Sequence, residues 1–199
     1  MGRRKKKAEK KKVEIPVPKS ESNLTMKCNY GDLIAVKQLL SDSPELLDKK
    51  GMNGCTPLIR AVRSEEEHSE AVVEYLLDAG ADIEAEAYGG MRALHFSAAN
   101  SRLGIMDKLL LKADVHSVDA SKNTALHWAC RKGFSSIAML LCSHGANIAV
   151  ANKDGMTPEA LAERNGHPAV VMALAKYRRD LIPRSRFLIR AAQVLLTWR

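Results

Sequence analysis

A chain of 199 residues, 46% apolar and 27% charged, is long enough to bury a core without disulfides or metals and is neither collagen-like nor wholly disordered. No apolar run approaches the roughly 20 residues of a bilayer span, and no hydrophobic stretch follows the basic start, so a protein that is neither secreted nor transmembrane, placed in cytoplasm or nucleus, is expected. The net charge of +8 is uneven: residues 1–19 carry +7, residues 176–199 carry +6, and the body between them carries −5.

In chain order, residues 1–20 come first as a basic tail. Arg3, Arg4, Lys5, Lys6, Lys7, Lys10, Lys11 and Lys12 repel one another and have no apolar partners, so the segment is expected to stay unfolded. Clustered charge of this kind suits a nuclear-localisation signal, a phosphate-binding arm or a contact with anionic lipid. Pro16 and Pro18 then keep the chain extended. Cys28, Cys55, Cys130 and Cys142 fall in apolar contexts without short paired spacing, which predicts small buried thiols and no bridges.

From residue 21 a repeat governs the chain. One phrase recurs as Thr56-Pro57-Leu58-Ile59-Arg60-Ala61, Arg92-Ala93-Leu94-His95-Phe96-Ser97, Thr124-Ala125-Leu126-His127-Trp128-Ala129 and Thr157-Pro158-Glu159-Ala160-Leu161-Ala162, at spacings of 36, 32 and 33. A second phrase follows in phase: Leu76 to Asp82, a shortened Leu110 to Asp114, and Leu140 to Asn147. Thr is an N-cap residue and Pro suits a first helical turn, so a helix starts at each phrase. In the fourth unit Leu126, Ala129 and Cys130 share one face, Gly133 breaks the helix, Ile137, Leu140 and Leu141 face a second one, and Gly145 ends it. Neither helix can bury its face alone, so the units must stack. Leu24 to Leu47 fits the register as a degenerate first unit with Cys28, Gly31, Asp32, Ala35, Val36, Leu39 and Leu40 in the small and apolar positions. Five units of about 21–52, 53–88, 89–120, 121–153 and 154–176 result.

The period of about 33 and the Thr-Pro-Leu-His-like opening closely resemble the ankyrin repeat family. The resemblance implies an all-α solenoid of stacked helix pairs joined by short β-hairpin-like turns. It also implies that His95 and His127 tie adjacent turns together through backbone hydrogen bonds. The array departs from the pattern in two places. Three extra residues around Ser64 to His68 predict an acidic bulge, and the missing glycine near Lys112-Ala113 shortens a helix end in a third unit whose cap residue is Arg92.

No nucleophile has a base and an orienting group at evident spacing, His127 and Cys130 lack a second ligand pair, and no glycine-rich run precedes a Lys-Ser or Lys-Thr. A non-enzyme is expected, with no catalytic or metal residues, no cofactor and no small-molecule substrate. The resemblance implies that partners lie across the turn tips and inner helices. Carried over by register, the exposed, variable positions expected to bind protein are Met52, Asn53, Cys55, Arg63 and Ser64; Tyr88, Met91, Ala99 and Asn100; Ser121, Asn123, Arg131 and Lys132; and Lys153, Met156, Arg164 and Asn165. Arg131, Lys132, Lys153 and Arg164 place positive charge on the concave side of an acidic body, which predicts a monomeric adaptor or scaffold binding an acidic or mixed acidic and apolar protein segment. A nucleic-acid- or ribosome-associated factor held by the basic tails, and a peripheral scaffold on anionic membranes, remain as alternatives. Over residues 177–199, Phe187, Leu188, Ala191, Val194, Leu195 and Trp198 form an apolar stripe opposite Arg186 and Arg190, a basic amphipathic helix suited to capping the last repeat.

Overall fold

The computed structural model describes residues 23–66 and 68–180. The basic tail with its import-like cluster and the amphipathic stripe after Pro183 lie outside the described residues. Helices run in pairs: α1 (Asn23–Asn29) with α2 (Leu33–Asp42), α3 (Pro57–Arg63) with α4 (Ser69–Asp78), α5 (Ala93–Ala99) with α6 (Leu103–Leu110), α7 (Ala125–Lys132) with α8 (Ser135–Ser143), and α9 (Pro158–Arg164) with α10 (168–180). The first helices pack in the order α1, α3, α5, α7, α9, and the second helices α2, α4, α6, α8 form a parallel row behind them. The architecture is the all-α stack of helix pairs that the repeat predicts. Among the described residues there is no strand, only an isolated antiparallel bridge between Val118 and Thr124.

Local chemistry accounts for the helix starts. Thr56 and Thr157 accept from the backbone N–H of Ile59 and Ala160 at 3.4 and 3.3 Å, and each is followed by a proline in the first turn. Asp32 caps α2 in the same way, accepting from Ala35 N at 3.1 Å. Gly133 at φ 81° ends α7 in the left-handed region. The interior is built from the position two residues after each cap, where Leu58, Leu94 and Leu126 are buried, together with Val72, Leu76, Ile105, Leu109, Ile137 and Leu141 from the second row. In the last unit Glu159 stands where the others have leucine, and it pairs with Arg178 of α10.

The opening histidines join one unit to the next. His95 accepts from Arg92 N through Nδ1 at 3.2 Å, and its Nε2 lies 3.1 Å from Asn123 O in the following turn. His127 accepts from Thr124 N at 3.1 Å, while its Nε2 lies 3.2 Å from Met156 O. Nδ1 as acceptor and Nε2–H as donor describe a neutral ring. Burial pushes both imidazoles below their ordinary value, against partial opposition from the nearby Asp119. This is the tie between adjacent turns that the family resemblance implies.

The extra residues of the second unit form the connection 64–68, against two or three residues at the corresponding places elsewhere. Ser64 donates to Asn29 O at 2.6 Å, and Arg102 donates to Ser64 O at 2.8 Å, so the insertion is held by the units on both sides. In the third unit α6 has eight residues against ten in α4, in line with the shortened helix end. All four cysteines are buried and unbridged. Burial raises the thiols of Cys28 and Cys130 to about 12 and that of Cys142 to about 11.

Candidate protein-binding groove

Four turn tips stand in one row, each closing in front of a cap residue. The backbone N–H of Gly51, Ala87, Asp119 and Asn152 donates to the carbonyl of Cys55, Met91, Asn123 and Met156 at 2.9, 2.9, 2.9 and 3.0 Å. Two residues before each cap the chain takes positive φ: Gly54 at 68°, Gly90 at 69°, Lys122 at 58° and Gly155 at 71°. Successive tips are joined where Ala120 N donates to Gly89 O at 2.8 Å and Lys153 N to Ser121 O at 2.9 Å. Asp119 is a buried node, accepting from the N–H groups of Ser121 and Asn123 at 2.8 Å and from Trp128 Nε1 at 3.0 Å. Asn123 in turn accepts from Asn152 Nδ2 at 2.8 Å, which carries the network into the next tip.

The tips and the first helices together form a groove. Between the first and second tips lies a cleft of about 370 Å³ lined by Asn53, Cys55, Arg63, Ala87, Tyr88, Met91 and Phe96. The Arg63 guanidinium lies 5.0 Å over the Phe96 ring and donates to Cys55 Sγ at 3.4 Å. One register further along, Arg131 lies 5.3 Å over the ring of Trp128, which the Asp119 bond holds in place. Lys27, Arg92, Lys108 and Arg178 each have a carboxylate partner. Among the described residues no carboxylate lies within ion-pair distance of Arg63, Lys122, Arg131, Lys132, Lys153 or Arg164.

The residues singled out from the sequence fall into three groups. Met52, Asn53, Tyr88, Asn100, Ser121, Arg131, Lys132, Lys153, Arg164 and Asn165 are exposed, and Met52 and Tyr88 show 52% and 84% of their surface. Arg63, Met91, Ala99 and Met156 are half-buried, with Arg63 and Met91 in the wall of the cleft. The remaining three correct the expectation of exposed positions. Cys55 is buried because its backbone closes the first turn and Arg63 covers its sulfur. Ser64 is buried because it anchors the insertion to Asn29 and Arg102. Asn123 is half-buried, its amide committed to Asp119 and Asn152.

Sequence reasoning missed three groove residues. Phe96 and Trp128 both stand four residues after the cap, and that shared offset was the available signal. Lys122 was hidden because it occupies a positive-φ position that the other tips fill with glycine. Among the described residues no group of three or more His, Cys, Asp or Glu is placed to hold a metal ion, and no helix is long and apolar enough to cross a membrane.

Comparison with known proteins agrees with this geometry. The family description Ankyrin repeats (3 copies) matches residues 24–119 and again 94–184. The palmitoyltransferase AKR1 of Lachancea kluyveri is 28% identical over 158 residues, which cover 77% of this chain and 21% of that protein. The neurogenic locus notch homolog protein 1 of Homo sapiens is 31% identical over 144 residues, 71% of this chain and 6% of that protein. Its Mus musculus counterpart is 32% identical over 140 residues, 69% of this chain and 5% of that protein. The chain thus spans a quarter or less of each of these relatives. Two overlapping matches across the stacked helix pairs leave one assignment: the chain belongs to the ankyrin repeat family.

Proposed function

We propose that the chain is a non-enzymatic protein-interaction module, an adaptor whose groove binds an acidic segment of another protein. One observation carries the reading: six groove cations have no carboxylate partner among the described residues, although the body between the basic ends has a net charge of −5. A row of uncompensated cations meets a partner's carboxylates at little cost in broken internal pairs and steers their approach. Ankyrin repeats generally serve as protein-binding modules, and the positions used here are carried over from that family by register.

The test is a nuclease-treated pull-down of the full chain, of residues 20–199, and of a full-length variant carrying Arg131→Glu, Lys132→Glu, Lys153→Glu and Arg164→Glu. Proteins retained by the first two and lost by the third support the groove, and their affinity for an Arg131→Glu/Lys132→Glu variant should fall at least about tenfold, roughly 1.4 kcal/mol. Undiminished recovery by the four-site variant refutes the reading. Recovery that follows residues 1–19 and disappears with nuclease transfers the activity to the basic tail.

A further inference from the structure

The groove is not uniform along its length. At the position four residues before each cap the tips present Met52, Tyr88, Ala120 and Lys153 in turn, so the row passes from large apolar groups to a cation. The apolar end borders the cleft of about 370 Å³, and the cationic end belongs to the last two units, which also carry Arg131, Lys132 and Arg164. We infer that the groove reads a two-part extended segment: one large apolar side chain seated in the cleft between the first two tips, and acidic residues about four to eight positions away against Arg131, Lys132 and Arg164.

This deepens the acidic-segment reading and rests on it. The apolar part follows from the walls of the cleft. Tyr88 is 84% exposed and Met52, on the neighbouring tip, 52% exposed, the two most prominent apolar groups on the tips. Acidic residues alone would leave both in water, whereas an apolar side chain between Tyr88, Met91 and Phe96 removes apolar surface on both partners. Arg63 adds a polar edge. Stacked on Phe96 and spending one donor on Cys55 Sγ, it is held in place with other N–H groups of its fork left for a main-chain carbonyl. The spacing follows from the helices. The cleft sits between α3 and α5, and Arg131 and Arg164 stand on α7 and α9. Neighbouring helix axes lie about 8–10 Å apart, so these cations are about 12–25 Å from the cleft, a span of about four to eight residues at about 3.3 Å each.

The experiment uses the full chain with Trp198→Phe, so that emission comes from Trp128, the other of the two tryptophans. A displayed library of random peptides of about 16 residues, long enough for both parts at about 3.3 Å per residue, is selected on it, and enriched peptides are titrated by Trp128 emission. The expected consensus is one large apolar residue about four to eight positions from at least two acidic ones. Met91→Gln, and independently Tyr88→Ser at an exposed tip, should each weaken such peptides at least tenfold while leaving their apolar-to-alanine versions unchanged. Arg131→Glu/Lys132→Glu should weaken them at least tenfold and spare versions with Asn and Gln in place of the acids. Acidic peptides without a positioned apolar residue, or indifference to both cleft variants, overturn the anchor and leave the acidic groove standing. Indifference to Arg131→Glu/Lys132→Glu overturns the groove reading itself. No enrichment over a display vector without an insert overturns both.

Discussion

His127→Ala removes a buried side chain that ties two units of the stack together. The ring is 0% exposed and engages Thr124 N, Thr124 Oγ1 and Met156 O at 3.1, 2.9 and 3.2 Å. Alanine reaches none of them, which leaves the Thr124 N–H and the Met156 carbonyl without their partner at a cost of about 1–3 kcal/mol each, with a further loss from the cavity. The expected total is about 3–5 kcal/mol. Urea unfolding followed by circular dichroism reads it directly: with a slope of about 2 kcal/mol per molar, the midpoint should fall by roughly 2 M. Because the array is a sum of neighbour interfaces, hydrogen exchange should locate the loss in α9 and α10, which the missing ring no longer ties to α7. His116→Ala, at an exposed ring in the third unit, is the control and should stay within about 0.5 kcal/mol of the parent. A His127→Ala variant within about 1 kcal/mol of that control would refute the role given to the histidine ties.

Three further outcomes are expected. His95 and His127 titrate below the ordinary 6.5, so the unfolded chain takes up protons that the folded chain refuses. Their contribution is therefore whole above about pH 6.5 and is lost as pH falls below it, by up to about 1.4 kcal/mol per pH unit for each ring, and a His95→Gln/His127→Gln chain should show a flatter urea-midpoint profile. The buried thiols should react with Ellman's reagent only as fast as the chain opens, since Cys28, Cys130 and Cys142 are raised to about 12, 12 and 11; a fast phase in native protein would contradict their burial. Gly133→Ala should destabilise by about 1–3 kcal/mol in a thermal melt, because φ is 81° and a Cβ would lie 2.6 Å from His167 Nδ1. Gly104→Ala should be neutral or stabilising by comparison, as the nearest atoms to its Cβ position belong to the end of the flexible Glu70 side chain, 2.8 Å away.

Much of the stack was legible because it depends on residues that repeat. Thr56 and Thr157 cap, prolines follow them, Leu58, Leu94 and Leu126 fill the interior, and glycines mark the positive-φ turns, each a local rule read from one unit and checked in the next. What escaped depends on contacts between units or on backbone that imitates glycine. Ser64 reads as an exposed polar residue until Asn29 and Arg102, 35 and 38 positions away, are seen to claim it. Asn123 looks like any tip residue, yet Asp119 and Asn152 take up its amide. Arg63 is one of several basic groove residues by register, and only the approach of Phe96 from the next unit turns it into the wall of a cleft.

The closure of the tips separates two kinds of inheritance. Each of the four turns is shut by the same main-chain bond and has a positive-φ residue at the same position, whatever side chains it carries. Met52, Tyr88, Ala120 and Lys153 occupy one equivalent site in four copies and have no side-chain part in that closure. Mutation at these sites can rewrite what the array touches without renegotiating how it folds. The tips are interchangeable sockets, so descendants of one such chain can diverge in whom they recognise while remaining superimposable in main chain.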